Sequence, residues 1–129
     1  PQEIDEHGMT WALRTANLRA IAAIEEQLSA KGTSLDAVLL DGNAQHLDAR
    51  EVNIVKGDGK CASIAAASII AKVDRDALMC RYAERFPHYG FESNKGYASA
   101  EHIEAIKQYG LSPVHRVSFC RAWTQETLF

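Results

Sequence analysis

Apolar residues recur at steps of three and four through residues 9–30, at Leu13, Ala16, Ala20, Ile21, Ile24 and Leu28. That period predicts a helix, and Lys31-Gly32 supplies its stop. After a Gly/Thr/Ser break, residues 36–40 form a short apolar run that ends in Asp41-Gly42. A buried strand fits, with Asp41 at its carboxyl end. Residues 52–55 alternate weakly and stop at Lys56-Gly57-Asp58-Gly59, which reads as a second strand and a tight turn. Residues 63–86 hold no Gly or Pro and are rich in Ala, Ile, Leu and Lys, so a long helix is predicted that ends before Pro87. Its first two turns, residues 64–71, are apolar nearly all round, which predicts burial on most sides. Residues 87–97 read as an aromatic-rich loop. Ser99 is placed to cap a helix over 100–109 that Gly110 stops, and residues 112–129 read as irregular or weakly helical. The sum is an α/β pattern. A two-stranded sheet is marginal alone, so the pattern implies more sheet than these residues supply.

Composition narrows the class. The chain has 129 residues, 47% of them apolar and 24% charged, which is ordinary for a globular domain. The low-polarity run at 64–71 is far shorter than the roughly 20 residues of a membrane span. No basic-then-apolar start resembles a signal peptide. Cys61, Cys80 and Cys120 form no CxxC pair, so reduced thiols in a cytoplasmic protein are expected. The net charge of −3 does not point to nucleic acid. Its distribution says more: residues 1–55 are net acidic, whereas 56–85 carry six bases against four acids. On charge alone that basic stretch is also what a solvated helix face looks like.

Four features could carry chemistry. Asp41 sits where open α/β sheets place their sites, although a turn Asp in Asp-Gly is a common alternative. Asp76 follows Lys72 by one helical turn, so it is either a core-edge carboxylate or half of a surface ion pair. Asp74 points elsewhere and reads as solvated. Two carboxylates brought together by a strand end and a helix need a cation between them, and Mg²⁺ or Mn²⁺ suits oxygen donors. Paired metals of that kind serve phosphodiester cleavage. Asn94-Lys95-Gly96-Tyr97 offers a phosphate contact and a stacking ring, or a tyrosine tucked on the core. His115-Arg116-Val117-Ser118-Phe119 suits phosphate binding or a plain anchor. The five histidines lack zinc-ligand spacing and read as structural or surface residues.

In order, Leu40-Asp41-Gly42, Val55-Lys56-Gly57-Asp58, the run I-A-A-A-S-I-I-A-K-V-D-R-D at 64–76, Lys95-Gly96-Tyr97 and His115-Arg116-Val117-Ser118-Phe119 resemble the bacterial branch of type 2 ribonuclease H, ribonuclease HII. The resemblance covers nearly the whole chain. It implies a ribonuclease H-like mixed sheet with flanking helices, and hydrolysis of RNA in RNA–DNA hybrids. It also implies incision 5′ of single ribonucleotides in duplex DNA, by two metal ions (Mn²⁺ or Mg²⁺). Asp41 and Asp76 match two of the family's four metal-binding acids. Tyr97 matches the tyrosine that stacks at the RNA–DNA junction. Lys56, Lys72, Lys95 and Arg116 are phosphate-contact candidates. The family often has His where this chain has Asn94. The family's N-terminal D-E-A-G-R-G motif, source of the other two acids, is absent, because Asp5-Glu6 is followed by His7-Gly8. Asp5-Glu6 is read as the acidic start of the first helix. The expectation is therefore the C-terminal portion, residues 1–129, of one catalytic domain, inactive without its N-terminal segment. The alternative is a non-catalytic module that binds the hybrid or a partner.

Overall fold

A computed structural model describes residues 1–124, so the final stretch of the predicted irregular tail lies outside the described residues. The chain divides into two compact units: residues 7–70, and residues 1–6 together with 71–129.

After α1 (Gln2–His7), the first unit continues through α2 (Met9–Ser29), β1 (Val38–Asp41) and β2 (Glu51–Ile54). The strands pair in parallel, with Val38 opposite Glu51 and Asp41 opposite Ile54. Parallel neighbours normally need a crossover of about a dozen residues or more. Here residues 42–50 suffice because Glu51 organises them. Its carboxylate accepts the backbone N–H groups of Leu47 at 2.6 Å, Gln45 at 2.7 Å and His46 at 3.2 Å. Those bonds, the Leu47 amide foremost, hold the Glu51 pKa down at about 2. Gln45 in turn accepts the Asn17 amide of α2 at 3.0 Å. The α2 stripe is less buried than its period suggests: Ile21 is covered, while Leu13 and Ile24 stay exposed.

The long helix α3 (Ala62–Arg85) runs through both units, one residue out of step with the predicted span. The expectation that its first two turns are buried is corrected. Only Ile64 is covered, whereas Ile69 and Ile70 are each 63% exposed and Val73 60%. An apolar run specifies a surface that prefers burial, but the two strands and the flanking elements among the described residues do not cover this face.

The second unit takes α1 (Gln2–His7), the later part of α3, α4 (Phe91–Asn94), α5 (Ala100–Tyr109) and α6 (Val117–Thr124). Its core is Tyr89, Phe91, Ala105, Ile106 and Cys120, flanked by Met79, Tyr82, Phe86, Leu111 and Trp123. The predicted 87–97 loop contains a 3₁₀ turn (Pro87–Tyr89) and α4, which together insert Tyr89 and Phe91 into that core. Ser99 caps α5 as expected, its hydroxyl accepting the His102 N–H at 3.2 Å.

Asp5 departs from its expected role. It does not open the long first helix, because α1 is a separate element that ends before Gly8, whose φ of 84° breaks the chain direction. Its carboxylate instead accepts the N–H groups of Val117 at 2.8 Å and Ser118 at 2.9 Å, and the Ser118 hydroxyl. Asp5 thus caps α6 from more than a hundred residues away. The Ser118 bonds lower its pKa from the ordinary 3.8. A lowered carboxyl pKa contributes stability that is present above the unfolded value and is lost as pH falls through the folded one. Asp5→Asn is therefore expected to lower the thermal midpoint near pH 7 and to leave a smaller difference below about pH 3. Midpoints equal at pH 7 would refute the cap.

Candidate functional site

Asp41 ends β1 on the exposed side, and its Oδ1 accepts the Gly57 N–H at 2.7 Å. Two sequence motifs thereby become one local structure. Lys56 adopts the left-handed region (φ 57°), which turns the chain so that Gly57 presents its amide to the carboxylate. Gly57 is buried, and a Cβ there would stand 2.7 Å from Ile64 Cδ1 and 3.4 Å from Asp41 Oδ1. The motif glycine is needed for that close approach. Lys56 itself remains exposed beside the turn.

In the second unit Asp76 projects from α3, and its Oδ2 takes the Lys72 ammonium at 2.5 Å. Lys72 is the main reason the Asp76 pKa lies below its ordinary value. The other oxygen, Oδ1, is fully covered and has no hydrogen-bond partner. A buried acceptor without a donor is costly, and cation ligation is one way to satisfy it. An oxygen of this kind is the donor type that a hard divalent ion prefers. Asp74 is exposed, as expected. Among the described residues no group of three or more His, Cys, Asp or Glu side chains is placed to hold a metal.

The Tyr97 loop is held from several sides. Lys95 (φ 50°) and Gly96 (φ 78°) both take left-handed conformations. Gly96 lies so close to α3 that a Cβ would meet Met79 Cε at 3.0 Å. The Asn94 amide bridges the turn, donating to Tyr89 O at 2.6 Å and accepting the Gly96 N–H at 2.7 Å. That gives Asn94 a role the sequence left open. Arg75 was not singled out by sequence. It donates to Lys95 O at 2.8 Å and lies 5.3 Å from the Tyr97 ring centroid. Tyr97 is 63% exposed, so the core-tucked alternative is corrected: the ring faces solvent while its backbone is fixed. The Lys95 ammonium donates to Glu92 O at 2.7 Å and approaches the exposed Cys80 Sγ at 3.0 Å. Arg116 lies over the Phe119 ring at 4.0 Å.

Tyr97, Arg75 and Arg116 share the wall of a cavity of ≈ 520 Å³ in this unit, with Met79, Phe119 and Trp123 on its apolar side. His102 and His115 reach the same cavity and are 4% and 8% exposed. Burial pushes the His115 pKa below its ordinary value. Cys61, Cys80 and Cys120 are free thiols.

The comparison with known proteins connects these pieces. A family model for ribonuclease HII matches residues 3–122. The chain belongs to the ribonuclease HII family. It is 45% identical over 117 residues to a ribonuclease HII of Bacillus licheniformis, covering 91% of this chain and 43% of that protein. It is 48% identical over 120 residues to one of Rickettsia bellii, covering 93% and 58%. It is 44% identical over 119 residues to one of Clostridium beijerinckii, covering 92% and 42%. The chain thus spans about half the length of these relatives. Its parallel strand pair with flanking helices is consistent with the ribonuclease H-like sheet that the resemblance implies. Among the described residues no helix is long and apolar enough to cross a membrane.

Proposed function

We propose that this chain is the C-terminal portion of a ribonuclease H-like catalytic domain, a Mn²⁺- or Mg²⁺-dependent endonuclease of the cytoplasm. The substrates are RNA–DNA hybrids and DNA duplexes with embedded ribonucleotides, cut 5′ of the ribonucleotide. Asp41 and Asp76 ligate the metals together with acids from an N-terminal segment. Bound divalent ions lower the pKa of an attacking water and stabilise the entering and leaving oxygens of phosphodiester hydrolysis. The Gly57 N–H orients Asp41, Lys72 keeps Asp76 ionised, and Tyr97 stacks at the RNA–DNA junction. Lys56, Lys72, Lys95 and Arg116 add positive charge along the phosphate path.

The observation that carries this reading is the unpartnered Asp76 Oδ1 in a chain of this family. Incubation with Mn²⁺ and a duplex holding one ribonucleotide tests it. The chain alone is expected to cleave weakly or not at all, and addition of an N-terminal segment carrying the D-E-A-G-R-G strand is expected to restore 5′ incision. Strong cleavage by the chain alone, abolished by Asp41→Asn, would remove the need for that segment. The non-catalytic alternative draws support from the fixed, solvent-facing Tyr97. Binding that is lost on Tyr97→Ala without any restorable cleavage would favour it.

A further inference from the structure

His102 and His115 are buried and touch each other. Their hydrogen bonds form one chain. Ser112 N–H, which can only donate, lies 2.9 Å from His115 Nδ1, with the Ser112 hydroxyl 2.7 Å from the same nitrogen. His115 Nε2 lies 3.0 Å from His102 Nε2, and His102 Nδ1 lies 2.9 Å from Tyr97 O. Only one proton arrangement satisfies every link. His115 Nδ1 must accept, so its proton sits on Nε2 and is donated to His102 Nε2. The His102 proton then sits on Nδ1 and is donated to the Tyr97 carbonyl. Ser99 N–H is a second donor to that carbonyl at 2.8 Å.

The geometry points to His102 and His115 as positioning residues for Tyr97: a neutral imidazole pair, fixed in complementary tautomers, that orients the junction-stacking tyrosine through its backbone. This rests on the proposed contact of Tyr97 with the RNA–DNA junction. A third proton breaks the chain wherever it lands. On His102 Nε2 it faces the His115 Nε2–H, and on His115 Nδ1 it faces the Ser112 N–H. Aromatic rings enclose the pair. Tyr89 and Phe91 pack rings on both imidazoles, and the Tyr89 hydroxyl is spent on Gly110 O at 3.0 Å. Among the described residues, the charged or titratable side chains that share the cavity with the pair are Arg75, Arg116, Cys120 and the Tyr82 and Tyr97 phenols, without a carboxylate. Acid is therefore expected to release the loop.

The test measures affinity of the chain for a duplex with one ribonucleotide relative to the all-DNA duplex, near pH 7.5 and near pH 5. The ratio cancels the sequence-independent phosphate attraction. Imidazole ¹⁵N spectra accompany it. The spectra are expected to show His102 protonated at Nδ1 and His115 at Nε2. Wild-type preference for the ribonucleotide is expected to fall by about fivefold in acid, the worth of one neutral hydrogen bond, and His102→Ala to show that loss at both pH values. His115→Gln keeps a donor for His102 Nε2 and can rotate its amide to accept from a protonated His102, so its preference is expected not to change with pH. A merely structural histidine pair would not give that flat profile. The opposite tautomers, or an acid loss in His115→Gln equal to wild type, would overturn the proposal. Wild-type behaviour in His102→Ala while Tyr97→Ala loses preference would overturn it and leave the Tyr97 reading standing. If Tyr97→Ala keeps full preference, the Tyr97 reading falls instead. Acid-induced shifts of the amide signals of residues 95–98, absent in His115→Gln, then decide the positioning role.

Discussion

Phe91→Ala is expected to destabilise the chain by about 3–5 kcal/mol, the usual cost of emptying a buried phenylalanine site. Phe91 is 2% exposed and packs among Tyr89, Ala105, Ile106 and Cys120. Its ring lies 5.6 Å from Tyr89, stacked, and 5.4 Å from His102, edge to face. Phe91 opens α4, which is flanked by the left-handed Gly90 and Lys95. Total stabilities near 5–15 kcal/mol make this a large fraction. Urea denaturation of wild type, Phe91→Leu and Phe91→Ala measures it. A loss below about 1 kcal/mol would mean the site is not a packed core. The same deletion admits water to the imidazole pair, so the lowered His115 pKa is expected to move back toward its ordinary value.

Asp41→Asn and Asp76→Asn are each expected to reduce Mn²⁺-dependent incision by more than about 100-fold in the chain combined with its N-terminal segment. Loss of a residue that merely orients a metal ligand already costs about 10–100-fold, and direct ligands weigh more. The two variants should differ structurally. Asp76→Asn also leaves Lys72 without its ion pair. Asp41→Asn can still accept the Gly57 N–H through its amide oxygen, so β1 should be undisturbed. Lys72→Met separates the effects, because it removes the pair and keeps the carboxylate. Calorimetric Mn²⁺ titration gives a second readout: each Asp→Asn variant should bind metal more weakly. Unchanged metal affinity in both would remove Asp41 and Asp76 from the centre.

Much of this was readable from local pattern. The α5 span with its Ser99 cap and the α3 span depend on periodicity and capping within a few residues, and the structure places them within one residue of expectation. Strand ends shifted by a residue or two, because pairing rather than composition decides which residues join a ladder. Contacts between distant residues left no local signal. His102 and His115 stand thirteen positions apart with no ligand spacing, and only the fold makes them partners. Arg75 reads as one more basic helix residue until the Lys95 carbonyl is found beside it. The exposure of Ile69 and Ile70 misled for a related reason: an apolar run states what a surface prefers, and only the surrounding chain decides whether it is covered.

The clasp between Asp5 and the start of α6 also bears on how the chain is made. Its partners lie 112 and 113 residues apart, so the contact cannot form on the ribosome until residues 117 and 118 have left the exit tunnel. Between them the strand pair of residues 7–70 is synthesised, and it is free to order first. The bond between Asp5 and α6 closes a long loop, at an entropic cost that grows only slowly with loop length. Folding of the two units should therefore be sequential, and a nascent chain stalled before residue 117 should lack the bonds between Asp5 and α6.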